Sequence, residues 1–292
     1  MKNILFYKYI ELDNLEELRK NLFDLAKQLN LLGTVLLAQE GINGCLSGAK
    51  ENTSRFINEM KKDSRFNDID FKEGIAEKHT FRKFAVRIRP EIVTCKFNAD
   101  IKNKAPYVEP KKLEEWLDNE EGIIIVDVRN KYEYEIGHFK NALELPMDVH
   151  REFPKAVSAI EKHKNKKIVT CCTGGVRCEK ASAYLKEHGF NNVFQLHGGI
   201  IKYGLEVGND HWEGKCLVFD TRGAIDIDPK NQSDPITQCI LCNIPSGQYA
   251  NCAVKSCDKR FIACDKCLDV LEGCCSKNCR HHLQKKETIA VY

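Results

Sequence analysis

Residues 2–12 alternate apolar and polar side chains, which predicts a strand with one face buried. Asn14 stands at the N-cap position of a helix on which Leu15, Leu18, Leu22, Leu25 and Leu29 recur at helical spacing, and Gly33 is placed to end it. Thr34 to Ala38 reads as a strand, with Ile42 to Ser47 as its hairpin partner across Gln39-Glu40-Gly41. A second helix is expected over about Lys50–Met60, with strands near Ile69–Ile75 and Phe84–Ile88. Further on, a short helix (Lys111–Leu117) precedes the most apolar run of the chain, Ile123-Ile124-Ile125-Val126-Asp127-Val128-Arg129. A continuous β-branched run suits a strand covered on both faces, as in a parallel sheet. The alternation continues with a helix over Phe153–Lys164, a strand over Lys167–Cys171, a helix over Arg177–His188 and a strand over Val193–Leu196.

These patterns give a multidomain α/β chain. The βαββαβ order over residues 1–97 is that of a ferredoxin-like, or acylphosphatase-like, α+β domain. Residues 98–110 are polar and proline-bearing and read as a linker. Residues 111–217 form an α/β domain on a parallel sheet. From about residue 218 a cysteine-rich C-terminal module shows little hydrophobic periodicity, and no internal repeat recurs at a fixed period.

A length of 292 residues suits two or three domains, and 42% hydrophobic with 30% charged residues is the balance of a soluble protein. The net charge of +3 names no partner by itself. No apolar run approaches the ~20 residues of a membrane helix. The charged, alternating N-terminus is unlike a signal peptide, so a cytoplasmic protein is expected. Of 15 cysteines, nine fall between Cys239 and Cys279. In a cytosolic chain that distribution points to metal binding or sulfur chemistry rather than disulfides.

The first candidate chemistry lies after the strand ending at Cys171. A strand, a glycine-bearing turn and a helix gather the amides of residues 173–177 around one point, a nest that stabilises an anion. A cysteine at the loop entrance would be held there as a nucleophilic thiolate. Gly174 and Gly175 allow close backbone approach, and Arg177 adds a fixed charge. Two spacings fit. Cys172-Thr173-Gly174-Gly175-Val176-Arg177 is a six-residue sulfurtransferase loop, whereas Cys171 stands at the Cys-x5-Arg spacing of phosphotyrosine-type phosphatases. Cys178, one residue into the helix, suits either a resolving thiol or plain packing.

Asp127-Val128-Arg129, Glu133-Tyr134, Gly137-His138, Ala142 and Leu145-Pro146 resemble the first signature of rhodanese domains, and His197-Gly198-Gly199-Ile200 resembles their closing segment. This selects Cys172 and leaves Asp127 and Arg129 as supports of the sheet. The whole chain resembles the tRNA uridine hydroxylases that carry a central rhodanese domain. Leu37-Ala38-Gln39-Glu40-Gly41-Ile42-Asn43-Gly44 with Ser47-Gly48, the run from Cys172 through Glu179-Lys180-Ala181-Ser182, and the cysteine-rich tail carry that resemblance. It implies oxygen-dependent hydroxylation of the wobble uridine of tRNA to 5-hydroxyuridine, with molecular oxygen as co-substrate and Cys172 required. The residues themselves support a reactive thiolate or persulfide, and no cofactor motif for catalysis is evident. Other readings are a persulfide or thiosulfate sulfurtransferase, a non-catalytic RNA- or partner-binding adaptor, and a phosphatase.

Between Lys78 and Lys104 lie Arg82, Lys83, Arg87 and Arg89, with Phe81, Phe84 and Phe97 interspersed. Such a strip suits tRNA through phosphate contacts and base stacking, or it is a solvated face whose phenylalanines turn inward. Gln39 to Gly44 is either a substrate-facing loop or a simple hairpin turn. In the tail, Cys239-x2-Cys242, Cys252-x4-Cys257, Cys264-x2-Cys267 and Cys275-x3-Cys279 form close pairs. Two such pairs complete a four-thiolate zinc site. Alternate pairing predicts Cys239, Cys242, Cys264 and Cys267 around one zinc and Cys252, Cys257, Cys275 and Cys279 around a second, with Cys274, His281 and His282 in reserve. Disulfides, sulfur carriers and an iron–sulfur cluster are the competing readings.

Overall fold

The computed structural model describes residues 1–119, 122–257 and 259–289. The chain begins with β1 (Lys2–Tyr9), α1 (Leu15–Gln28), β2 (Leu32–Ala38), β3 (Gly41–Gly48), α2 (Lys50–Lys62), β4 (Lys72–Ile75) and β5 (Phe84–Ile88). The sheet order is β4-β1-β3-β2-β5, antiparallel throughout except that β5 runs parallel to β2. This is the expected ferredoxin-like arrangement with one further edge strand. Ile4 and Phe6 on β1 and Val35 and Leu37 on β2 point to one face. They pack with Leu18, Leu22 and Ala26 of α1 and Phe56 and Met60 of α2.

Two local expectations are corrected. Asn14 precedes α1 in a left-handed conformation (φ 49°) and its side chain makes no capping bond. Gly33 does not end the helix. The stop is Asn30 (φ 51°), where Asn30 N donates to Lys27 O and Leu31 N to Ala26 O, the paired bonds of a Schellman motif. Gly33 lies within β2 instead, because a Cβ there would sit 2.1 Å from the Cys45 carbonyl oxygen on β3.

The chain continues with β6 (Tyr107–Val108), α3 (Pro110–Asn119), β7 (Ile123–Asp127), α4 (Lys131–Ile136), β8 (Gly137–Phe139), β9 (Leu143–Glu144), α5 (Phe153–Ala156), β10 (Lys167–Cys171), α6 (Val176–Glu187), β11 (Val193–Leu196) and α7 (Gly199–Glu206). The second sheet, β6-β11-β10-β7-β9, is parallel in every pair. Its core joins Val126, Val128, Phe153, Ile160, Ile168, Ala181 and Leu185. The helix expected over 153–164 is a single α turn followed by a 3-10 helix over Val157–His163. The segment read as a linker is not slack. Tyr107 and Val108 pair with Gln195 and Leu196 at the sheet edge, and Ala105 N donates to Ser182 Oγ. Buried Arg129 clasps Asp127, with Nε 2.9 Å and Nη2 2.7 Å from its carboxylate.

A second compact unit comprises Tyr132–Asn141 and the chain from Gly208 onward. In it β8 pairs with β12 (Trp212–Gly214), β13 (Cys216–Leu217) with β14 (Ala224–Ile225), and β15 (Tyr249–Asn251) with β16 (Arg260–Ile262). Helices α8 (Asp265–Val270) and α9 (Lys277–Ile289) follow. Its small core is built around Cys239, Cys252, Val254, Phe261, Ala263, Cys274 and Cys275. No helix among the described residues is long and apolar enough to cross a membrane.

Candidate active site and cysteine clusters

Cys172 leaves the C-terminal end of β10, where ligands of open parallel sheets bind. Its side chain is fully buried, and Gly175 N donates to its sulfur at 3.1 Å. Gly175 reaches this position with φ +99°, which favours glycine. Burial alone would push the thiol up. The Cys178 thiol donating to it, the Arg177 charge and the amides of Arg177 and Gly175 outweigh that and bring it down to about 6. Cys178, itself buried beside this sulfur, is pushed well above its ordinary range and stays the proton donor of the pair. Arg177 is buried and approaches Thr173 Oγ1 at 3.4 Å. Of the loop amides, those of Gly175 and Arg177 reach the Cys172 sulfur, and Cys172 rather than Cys171 faces the Gly175 amide. Cys171 is part of the sheet, its carbonyl accepting from Val128 N at 3.0 Å.

The start of α7 clamps this loop from outside. Ile200 N donates to Cys172 O at 3.0 Å and Ile201 N to Thr173 O at 3.1 Å. Gly199 has φ +71°, and a Cβ there would lie 2.5 Å from Cys172 O and 2.7 Å from Gly175 N. His197-Gly198-Gly199-Ile200 thus acts as a brace for the loop.

The N-terminal domain supplies residues that the sequence reading did not place at the site. The β1 face opposite the core carries Leu5, Tyr7 and Tyr9. A Cβ on Gly174 would sit 2.7 Å from Leu5 Cδ2, and one on Gly175 2.8 Å from Tyr7 Oη, so β1 lies directly over the loop. Tyr7 Oη donates to Glu179 at 2.9 Å, Tyr107 Oη donates to the same carboxylate at 2.6 Å, and Lys104 Nζ pairs with it at 2.9 Å. Burial and the Glu179 charge hold Tyr7 neutral, its phenol well above the usual range, and push Tyr107 up to about 12. Lys180 reaches Glu40 at 2.7 Å and Glu91 at 3.0 Å. Glu40 belongs to the hairpin Gln39–Gly44, so that turn anchors α6. The one sequence signal was the period-2 spacing of Leu5, Tyr7 and Tyr9, aromatic where a solvated face would be polar.

The basic strip divides. Arg82, Lys83, Arg87 and Arg89 are all exposed, on or beside the edge strand β5. Phe84 and Phe97 do not accompany them, whereas Phe81 stays half-buried beside Arg82. Phe84 packs on the first core and Phe97 on the second, stacked 5.8 Å from Phe153, because their rings gain more from burial than from a charged surface. Phosphate contact is available there, and stacking on Phe84 or Phe97 is not.

In the second unit, the sulfurs of Cys239, Cys242, Cys264 and Cys267 lie within 4.8 Å of one another, as do those of Cys252, Cys257, Cys275 and Cys279. Cys242–Cys264, Cys257–Cys275 and Cys275–Cys279 are each 3.7 Å apart. Four thiolates at ~2.3 Å from a tetrahedral zinc stand about 3.8 Å apart, so both sets fit one ion each. Cys274, His281 and His282 lie outside both sets.

The folds and loop define a rhodanese domain preceded by an acylphosphatase-like domain and followed by a cysteine-rich segment. Residues 1–92 match the UPF0176 acylphosphatase like domain, 109–206 the Rhodanese-like domain and 213–280 the Rhodanase C-terminal domain. A Cytophaga hutchinsonii protein is 38% identical over 97% of this chain and 91% of its own length. A Bacillus licheniformis protein is 41% identical over 97% and 90%. Both are named tRNA uridine(34) hydroxylase. The chain belongs to the tRNA uridine(34) hydroxylase family.

Proposed function

We propose that this protein hydroxylates the wobble uridine of tRNA at its 5-position with molecular oxygen as co-substrate, and that Cys172 is the thiolate on which the reaction depends. The observation that carries the reading is the union of near-full-length kinship to proteins of that name with a buried, amide-cradled cysteine. Arg177, Cys178 and the loop amides hold the negative charge on Cys172, and the roof formed by β1 keeps bulk water from it. Arg82, Lys83, Arg87 and Arg89 contact the phosphates of the RNA. The two four-cysteine sets hold structural zinc, which supplies folding free energy to a module with a small apolar core.

The test is mass spectrometry of tRNA nucleosides from a strain lacking the gene, grown under isotopically labelled oxygen gas with and without the wild-type gene. Labelled 5-hydroxyuridine that disappears on deletion and returns on complementation supports the proposal. Unchanged 5-hydroxyuridine in the deletion strain overturns it, and an active cyanide-dependent sulfur transfer in that case selects the sulfurtransferase reading.

A further inference from the structure

Lys72 is a lysine where a lysine is costly. It lies on β4 directly opposite Leu5 of β1 in the strand register, so the two side chains share one face of the sheet. That face is the one laid over the loop, since Leu5 meets Gly174 and Tyr7 meets Gly175. The Lys72 side chain is only 5% exposed. Its compensation within the N-terminal domain is thin. Asp70 offers a carboxylate oxygen at 3.3 Å and its carbonyl at 3.5 Å, and the Tyr7 ring lies 4.8 Å from the ammonium. Asp70 is half in water, where an ion pair gains little. A buried ammonium with three donors needs more than this.

The strand face that carries it is the one laid on the Cys172 loop, through Leu5 at Gly174 and Tyr7 at Gly175. We propose that Lys72 is a positioning residue for the Cys172 thiolate, an ammonium delivered by the N-terminal domain that shares the negative charge held by the rhodanese loop. The inference rests on the functional reading above only in taking that thiolate as the working group. Burial pulls the Lys72 amine down; Asp70 opposes this most, the Lys202 charge adds to it, and the Cys172 charge favours the protonated form. The titratable groups facing this pair are Asp70 and Tyr7 of the N-terminal domain, His197, which lies 3.9 Å from Asp70, Lys202 of α7, and Arg177, Cys178 and Glu179 of α6. The N-terminal domain thereby adds to the electrostatics of the rhodanese loop.

The test is the pH titration of Cys172 in the full-length protein, read as thiolate ultraviolet absorbance after subtracting the Cys172→Ser variant. Lys72→Met is expected to raise the midpoint by about half a pH unit, leaving about threefold less thiolate below the midpoint. Lys72→Arg, which keeps the charge, is expected to restore most of the shift. A merely structural lysine would lower the urea midpoint without moving the titration, and an RNA-contacting lysine would raise KM alone. An unmoved midpoint in Lys72→Met, with the variant folded by circular dichroism, overturns the proposal. The titration reads Lys72 whether or not Cys172→Ser abolishes hydroxylation, so the two failures are distinguishable.

Discussion

Replacing Gly199 with alanine isolates the brace that α7 provides to the active-site loop. Two costs arise. An L-residue at φ +71° is strained by about 1–2 kcal/mol. The added Cβ would also lie 2.5 Å from Cys172 O, 2.7 Å from Gly175 N and 2.8 Å from Gly174 C. All three are backbone atoms, so no side chain can swing away, and the loop must retreat by about 1 Å at a further ~1–3 kcal/mol. The retreating atoms include the very amide that donates to the Cys172 sulfur. Gly199→Ala is therefore expected to cost about 2–5 kcal/mol in urea denaturation and to raise the Cys172 titration midpoint above about 6. Gly189→Ala is the matched control. It shares the left-handed conformation (φ +83°), yet a Cβ there meets nothing within 4 Å. It should lose only the strain, about 1–2 kcal/mol, and leave the thiol unchanged. Equal losses for the two variants, with an unmoved thiol in Gly199→Ala, would refute the bracing role.

Three further outcomes follow from the same geometry. Thiolate absorbance of Cys172 should rise through about pH 6; Arg177→Met removes a stabilising cation and should raise that midpoint by about 1–2 units, and a midpoint left in place counts against Arg177. Elemental analysis of protein purified without chelator should find two zinc ions per chain, falling to about one in Cys239→Ser, whereas a metal-free wild type rules out both sites. The double variant Lys83→Ala/Arg87→Ala should flatten the log–log dependence of tRNA affinity on salt by roughly 1.5. An unchanged slope would place the RNA elsewhere.

Periodicity in the sequence located the longer strands and helices of the two α/β domains, because each buries its own apolar stripe on a local core, whereas the short β6, α4, β9 and α7 carried too little pattern to be seen. The Cys172 loop was legible for a related reason: anion cradles need glycine, amides and a cation at fixed offsets along one stretch of chain. The cysteine groupings were likewise legible as alternate pairs. What the sequence concealed was partnership at a distance. Glu179 and Lys180 look like solvated helix residues, yet both are buried because Tyr7, Tyr107, Lys104, Glu40 and Glu91 come to meet them from remote segments. The outer face of β1, aromatic at Tyr7 and Tyr9, covers the loop, a partnership that its alternation alone did not name. Asn14 and Gly33 misled because a preferred residue type at a helix end is only a local tendency: Asn14 takes a left-handed conformation with no capping bond, and Asn30 supplies the C-terminal motif in place of Gly33.

The most direct measurement of the central claim is 5-hydroxyuridine in tRNA from the deletion strain carrying the wild-type gene, Cys172→Ser or Cys171→Ser at matched protein levels. Loss of the nucleoside with Cys172→Ser and its retention with Cys171→Ser is the expected result. Wild-type levels with Cys172→Ser would contradict the account.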